Sequence, residues 1–92
     1  MKAYKSLVKF ALNNNAKVSV WDGEEWQVKQ STGYKEIISA IESVDIAEVR
    51  IRDNNGDILG WAMIVHDTGE DENVADFTMT PFMATWESQY YK

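Results

Sequence analysis

Residues 47–65 read AEVRIRDNNGDILGWAMIV, two apolar runs joined by a polar turn. The first run alternates apolar and charged residues from 47 to 52, a period of two that is typical of a strand with one buried face. The second run, 58–65, is apolar almost throughout, which is typical of a strand in the interior of a sheet. The stretch therefore predicts an antiparallel hairpin around which the sheet is built.

The turn Asp53-Asn54-Asn55-Gly56 suits a type I turn closed by a left-handed glycine, the three-residue hairpin loop with a bulge. A loop of this length sets the pairing of the two strands. The predicted pairs are Ile51 with Leu59, Val49 with Trp61 and Ala47 with Met63. All six side chains would then lie on the buried face.

Residues 18–28, VSVWDGEEWQV, predict a second hairpin. If its apolar residues share one face, Val20 pairs with Trp26 and Val18 pairs with Val28, which demands an odd-numbered loop such as Asp22-Gly23-Glu24. In this register Trp26 is buried and Trp21 lies on the opposite face.

Three segments have the spacing of helices. Residues 3–13 carry an apolar stripe opposite three lysines, and residues 34–44 carry a second stripe after a cap at Ser31 or Thr32. A third helix is predicted to start at Thr80-Pro81. Residues 74–79 fit either a short strand or an irregular arm. The prediction is a single α+β domain, 1–92, of order α-ββ-α-ββ-α, with a four-stranded antiparallel sheet and helices mainly on one face.

Composition limits the class of protein. There is no cysteine among the 92 residues, which excludes disulfides and thiolate chemistry and fits a reducing compartment. No apolar run approaches the length of a membrane span, and the N-terminal segment is amphipathic, unlike a signal peptide. We therefore expect a cytoplasmic protein that makes no membrane contact.

Charge is unevenly distributed along the chain, whose formal net charge is −6. Residues 1–35 contain six lysines and three acids, whereas residues 36–92 contain twelve acids and three bases. Such a molecule has a long negative side, which repels nucleic acid and membrane surfaces and attracts basic proteins. Direct nucleic-acid binding is not expected outside the small basic region.

Catalytic and cofactor signatures are absent from the sequence. The only histidine is His66, and the five glycines are isolated, so neither a nucleophilic triad nor a phosphate-binding loop is indicated. The acidic segment 67–72 does not have the spacing of a calcium loop, because its glycine, Gly69, is third rather than sixth. We expect no enzyme activity, no metal and no cofactor.

Trp21 is among the aromatic residues with no evident buried position, and three acids follow it closely. Exposed rings beside carboxylates are typical of a protein-binding hot spot that selects a basic partner. An amphipathic ring half covered by its own loop explains the same pattern equally well. The predicted partner-binding residues lie on the hairpin tip and in the acidic segment: Trp21, Asp22, Glu24, Glu25, Asp67, Glu70, Asp71 and Glu72.

Four segments, VSVWDGEEWQV, YKEIISAIESV, VRIRDNNGDILGWAMIV and PFMATWESQYY, together resemble the small acidic accessory proteins of tailed bacteriophages. The resemblance implies function by binding, often by blocking a host enzyme or defence complex and sometimes by placing carboxylates where DNA phosphates would lie. It carries over no site residue.

The functional hypothesis is accordingly a non-enzymatic, acidic protein-binding module, a phage-type inhibitor that occupies a basic surface of a host nucleic-acid-handling or defence protein in the host cytoplasm. The alternative is a structural or self-associating protein, in which exposed strand edges and aromatic residues form a homodimer. A small enzyme is the third and least favoured hypothesis.

Overall fold

The computed structural model describes residues 2–66 and 74–90. These residues form an α+β fold with three helices and one five-stranded antiparallel sheet. The elements in chain order are α1 (Ala3–Asn13), β1 (Lys17–Trp21), β2 (Trp26–Ser31), α2 (Tyr34–Glu42), β3 (Ile46–Arg52), β4 (Ile58–Val65), β5 (Val74–Phe77) and α3 (Pro81–Tyr90). The strand order is β2-β1-β3-β4-β5, which places β3 at the centre.

The helices lie on one face of the sheet and share a single apolar core with it. The strands contribute alternating side chains to this core, among them Val20, Val49 and Ala62. The opposite face carries no helix among the described residues, and we call it the open face. This arrangement matches the predicted placement of the helices and leaves one side of the sheet available for contacts.

The sheet has five strands instead of the predicted four. Residues 74–77 pair antiparallel with β4, with Ala62 opposite Phe77 and Met63 opposite Asp76. The Phe77 ring meets the Trp86 ring edge to face at 5.4 Å between centroids, so α3 helps to hold the strand in place. The sequence fits both a strand and an irregular arm in this segment, because an alternation over four residues is too short to identify a strand.

Pairing of β3 with β4 differs from the prediction by one residue. Arg52 pairs with Ile58 as the loop length requires, but an irregularity follows, and Ile51 then pairs with Gly60. The remaining inward pairs are Val49 with Ala62 and Ala47 with Ile64. Trp61 and Met63 therefore point to the open face, where both are half-buried, and not to the core.

Packing of α3 gives a physical reason for this register. A Cβ at Gly60 would overlap Cγ and Sδ of Met83, so residue 60 lies directly beneath the helix. The glycine leaves room for the Met83 side chain, which is fully buried. The irregularity in β4 moves Gly60 to the helical side, and Ala62 and Ile64 follow it there.

The β1–β2 hairpin also differs from its prediction. Asp22 N–H donates to the Glu25 carbonyl, and the loop contains four residues instead of three. Trp21 pairs with Trp26, one register shift leads to Val20 opposite Val28, and a second leads to Val18 opposite Ser31. Trp26 is consequently on the open face beside Trp21, and the prediction that it enters the core is wrong.

Helices α3 and α2 begin in different ways. Thr80 caps α3 as expected: its hydroxyl accepts a hydrogen bond from Met83 N–H and donates one to the Leu59 carbonyl. Helix α2 is different, because its N-cap is Gly33, which makes no side-chain cap. The Ser31 hydroxyl accepts instead from Gly33 N–H, one residue before the helix.

Candidate functional site

The hairpin tip is held in one conformation by Asp22. One carboxylate oxygen of Asp22 accepts hydrogen bonds from the backbone N–H groups of Glu24 and Glu25, and the other accepts one from the Gln27 side chain. Gly23 adopts φ +103°, a conformation that favours glycine. Three donors on one carboxylate make the tip a defined structure and leave the Glu24 and Glu25 side chains exposed.

Hydrogen bonding also sets the charge of the tip. Donation from the Glu25 and Glu24 backbone, and then from Gln27, holds the pKa of Asp22 below its ordinary value. Asp22 is therefore ionised throughout the physiological pH range. Its role is to shape the tip, whereas the two glutamates carry the accessible charge.

Trp21 is partly exposed at the end of β1, on the open face. Its ring meets the Trp26 ring edge to face, with 5.1 Å between centroids. Directly across the sheet from Trp21 lies Glu48 of β3. Of the predicted site residues, Trp21, Asp22, Glu24 and Glu25 are thus brought together, with a fourth carboxylate beside them that the sequence argument missed.

Arg50 occupies the next outward position of β3. Its guanidinium lies 5.3 Å from the Trp26 ring centroid, and it pairs across the sheet with Trp61. A cation over an aromatic face is attracted by the ring and orders it. Trp26, Arg50 and Trp61 were not predicted as site residues, because the predicted registers placed both tryptophans in the core.

A second charged region lies at the other end of the open face. Lys17 stands opposite Arg52 across β1 and β3. Nearby, a concavity of about 210 Å³ is lined by Ser19, Trp26, Lys29, Gln30 and Arg52. Within residues 2–66 and 74–90 the one ion pair joins Lys5 to Glu42, with 3.8 Å between N and O, so these cations have no acidic partner there.

The segment 67–72, with the predicted contact residues Asp67, Glu70, Asp71 and Glu72, lies outside the described residues. The candidate site therefore comprises the hairpin tip and the open face. In the described part of the chain, no group of three or more histidine, cysteine or acidic side chains is placed to hold a metal ion.

His66 has a structural environment. Its Nε2 lies 2.9 Å from the Ile41 carbonyl oxygen, and its ring meets the Tyr4 ring edge to face at 5.1 Å. The Tyr4 hydroxyl donates to Glu42, and burial together with this carboxylate raises the Tyr4 pKa. The cluster ties the end of β4 to helices α1 and α2.

A concavity of about 440 Å³ is formed by α2 and its C-cap, and is lined by Tyr34, Lys35, Ile38, Ser39, Glu42 and Ser43. A depression lined by a single helix encloses a ligand poorly.

None of the described helices has the length and apolar character needed to cross a bilayer.

Comparison with known protein families, curated proteins and solved structures finds no match to this chain. Function is therefore inferred from the geometry of the open face and the hairpin tip, together with the sequence.

Proposed function

We propose that this protein is a non-enzymatic protein-binding module that recognises a basic surface of another protein through its first hairpin. The observation that carries the proposal is the Trp21–Trp26 pair, partly exposed and adjacent to the exposed carboxylates of Glu24 and Glu25. Tryptophans supply the desolvated area that dominates many protein interfaces. Carboxylates around them favour cationic partners and accelerate encounter.

The rigidity of the tip supports this function. Asp22 fixes the loop through three hydrogen bonds, and each tryptophan is held by a neighbour, Trp21 by Trp26 and Trp26 by Arg50. A surface that is already ordered loses less conformational entropy when it binds. Less of the free energy gained by burying the tryptophan rings is then needed to offset the ordering of the hairpin tip.

The resemblance to phage accessory proteins supplies the finer part of the proposal. It suggests a host nucleic-acid-handling or defence protein as the partner, and inhibition by occupation of the surface that would otherwise contact nucleic acid. The two tip glutamates and Glu48 would take the positions of phosphates. The absence of enzymatic activity is proposed from the missing cysteine and from the structural engagement of His66.

Affinity capture with matched variants tests the proposal. The tip variant Glu24→Ser/Glu25→Ser removes the accessible charge and keeps Asp22, which forms the turn. The control Glu36→Ser/Asp57→Ser removes the same charge from exposed sites away from the tip. Each protein is immobilised, incubated with bacterial lysate at low and high salt, and its retained proteins are quantified by mass spectrometry.

We expect wild type and control to retain the same basic protein or complex, and the tip variant to lose it. Retention should also fall at high salt, since exposed charges are screened. If the tip variant retains the same proteins as the control, the hairpin tip is not the recognition surface.

A further inference from the structure

Charge on the open face is arranged as a gradient along the strands. Trp21, Glu48, Met63 and Asp76 are paired in a row across β1, β3, β4 and β5 at the end nearest the acidic tip. Four residues before Trp21, at the start of β1, Lys17 pairs with Arg52, which pairs with Ile58, and these three residues form the opposite row. With about 3.3 Å of rise per residue, the acidic and basic rows are about 13 Å apart.

Apolar and aromatic side chains lie between and beside these rows. Trp61 and Met63 are partly exposed, while Ile46 and Ile58 expose 53% and 54% of their surface. Ile58 is paired with Arg52, at the basic end. Large apolar side chains that are exposed on a sheet face without a covering helix favour contact with another molecule.

The basic row brings cations of neighbouring strands side by side. Lys17 and Arg52 are direct cross-strand neighbours of like charge, an arrangement that destabilises a sheet. Lys29 lines the same concavity as Arg52 and adds a third cation. Because none of the three has an acidic partner among the described residues, an acidic surface from another molecule would neutralise all of them together.

We propose that the occupant of the open face is a second copy of this chain, packed face to face. The two copies are related by a two-fold axis that lies between the two sheets and runs perpendicular to the strands. Such an axis reverses the strand direction, so the acidic tip of one copy lies over the basic row of the other, and the same contact is made twice. A two-fold axis parallel to the strands would place like charge over like charge. The face is therefore complementary to itself in one orientation only.

This inference deepens the proposed function, since it rests on the acidic tip binding a basic protein surface and identifies that surface as Lys17, Lys29 and Arg52 of the second copy. Trp61 and Arg50 lie in the middle row and become the centre of the interface. Closed two-fold interfaces are the commonest form of soluble oligomer. A basic host surface would then compete with the second copy for the same tip.

Two charge variants test the inference by sedimentation equilibrium over a range of concentrations at low salt. The acidic-face variant is Lys17→Glu/Lys29→Glu, which leaves Arg52 and its hydrogen bond to the Gly56 carbonyl intact. The basic-tip variant is Glu24→Lys/Glu25→Lys/Glu48→Lys. The control, Lys2→Glu/Lys35→Glu, changes two exposed lysines outside the open face. Circular dichroism establishes that each variant is folded.

We expect wild type and control to form dimers. The acidic-face variant and the basic-tip variant, each alone, should have a dimer dissociation constant at least about tenfold higher. An equimolar mixture of the two face variants should recover dimerisation, because each then presents the charge that the other lacks. If either face variant dimerises as tightly as wild type, or if the mixture remains monomeric, this interface is wrong.

A wild-type protein that is monomeric at every concentration would also overturn the inference, while the capture experiment would still test the proposed function separately. If the monomeric wild type bound a labelled single-stranded oligonucleotide and the acidic-face variant did not, the basic row would belong to a nucleic-acid site. If dimers form but the tip variant captures the same lysate proteins as its control, the proposed host recognition fails and the dimer stands.

Discussion

Trp21 and Trp26 pair across the first hairpin on the side of the sheet opposite the helices, with ring centroids 5.1 Å apart and planes at 66°. Each ring covers part of the other, and Arg50 lies over the second. The pair is thus a stabilising contact as well as a candidate binding surface, and the two roles can be separated experimentally.

A double-mutant cycle on Trp21 and Trp26 measures the stabilising role. Edge-to-face aromatic pairs contribute about 0.5–1.5 kcal/mol beyond the burial of their area, so we expect a coupling free energy in that range. Urea denaturation of wild type, Trp21→Ala, Trp26→Ala and the double variant at low protein concentration gives this value. Strictly additive effects would show that the rings do not stabilise each other.

The pH dependence of stability should contain a contribution from Asp22. Its pKa in the folded protein is below the value of 3.8 for an unperturbed aspartate, so its ionised form favours folding. This contribution is fully present above the unfolded pKa and is lost as pH falls through the folded pKa. We expect Asp22→Asn to lower the free energy of unfolding at neutral pH and to flatten its decrease in acid.

Glu24→Gln is the control for that measurement, because it removes a neighbouring charge without removing a hydrogen-bond acceptor of the turn. Denaturant unfolding from neutral pH to below pH 3.8 compares the two. A wild-type and an Asp22→Asn profile of identical shape would contradict the role assigned to this carboxylate.

Gly60→Ala should destabilise the protein by about 1–3 kcal/mol, the usual cost of overpacking a core. The added methyl group overlaps the Met83 side chain, which is fully buried between α3 and the sheet. In a Met83→Ala background the same change should cost much less. Thermal or urea unfolding of the four proteins tests this, and an equal cost in both backgrounds would exclude the steric explanation.

Thr80→Ala should cost about 0.5–2 kcal/mol, because the hydroxyl caps α3. The same hydroxyl donates to the Leu59 carbonyl and so joins the helix to β4. Thr80→Ser keeps both hydrogen bonds and serves as the control. If the serine and alanine variants unfold at the same denaturant concentration, the capping role is refuted.

Local pattern in the sequence was sufficient for the elements themselves. The apolar stripe of residues 3–13, the alternation of 47–52 and the Thr80-Pro81 start each identify an element that the structure contains. The α+β class and a helix-covered antiparallel sheet follow from them. These features depend on periodicities of 3.6 and 2 residues, which any short stretch of sequence displays by itself.

Tertiary structure decided which side chains face outward and therefore what the candidate surface is. Trp26 lies on the open face because a four-residue loop pairs it with Trp21, and Trp61 lies there because of the register irregularity in β4. The fifth strand is held by the packing of Phe77 on Trp86. A shift of one residue exchanges the two faces of a strand, and its cause lies in remote contacts. The sequence by itself determined the acidic tip at Asp22 to Glu25; only folding placed a tryptophan pair beside it and a basic row opposite.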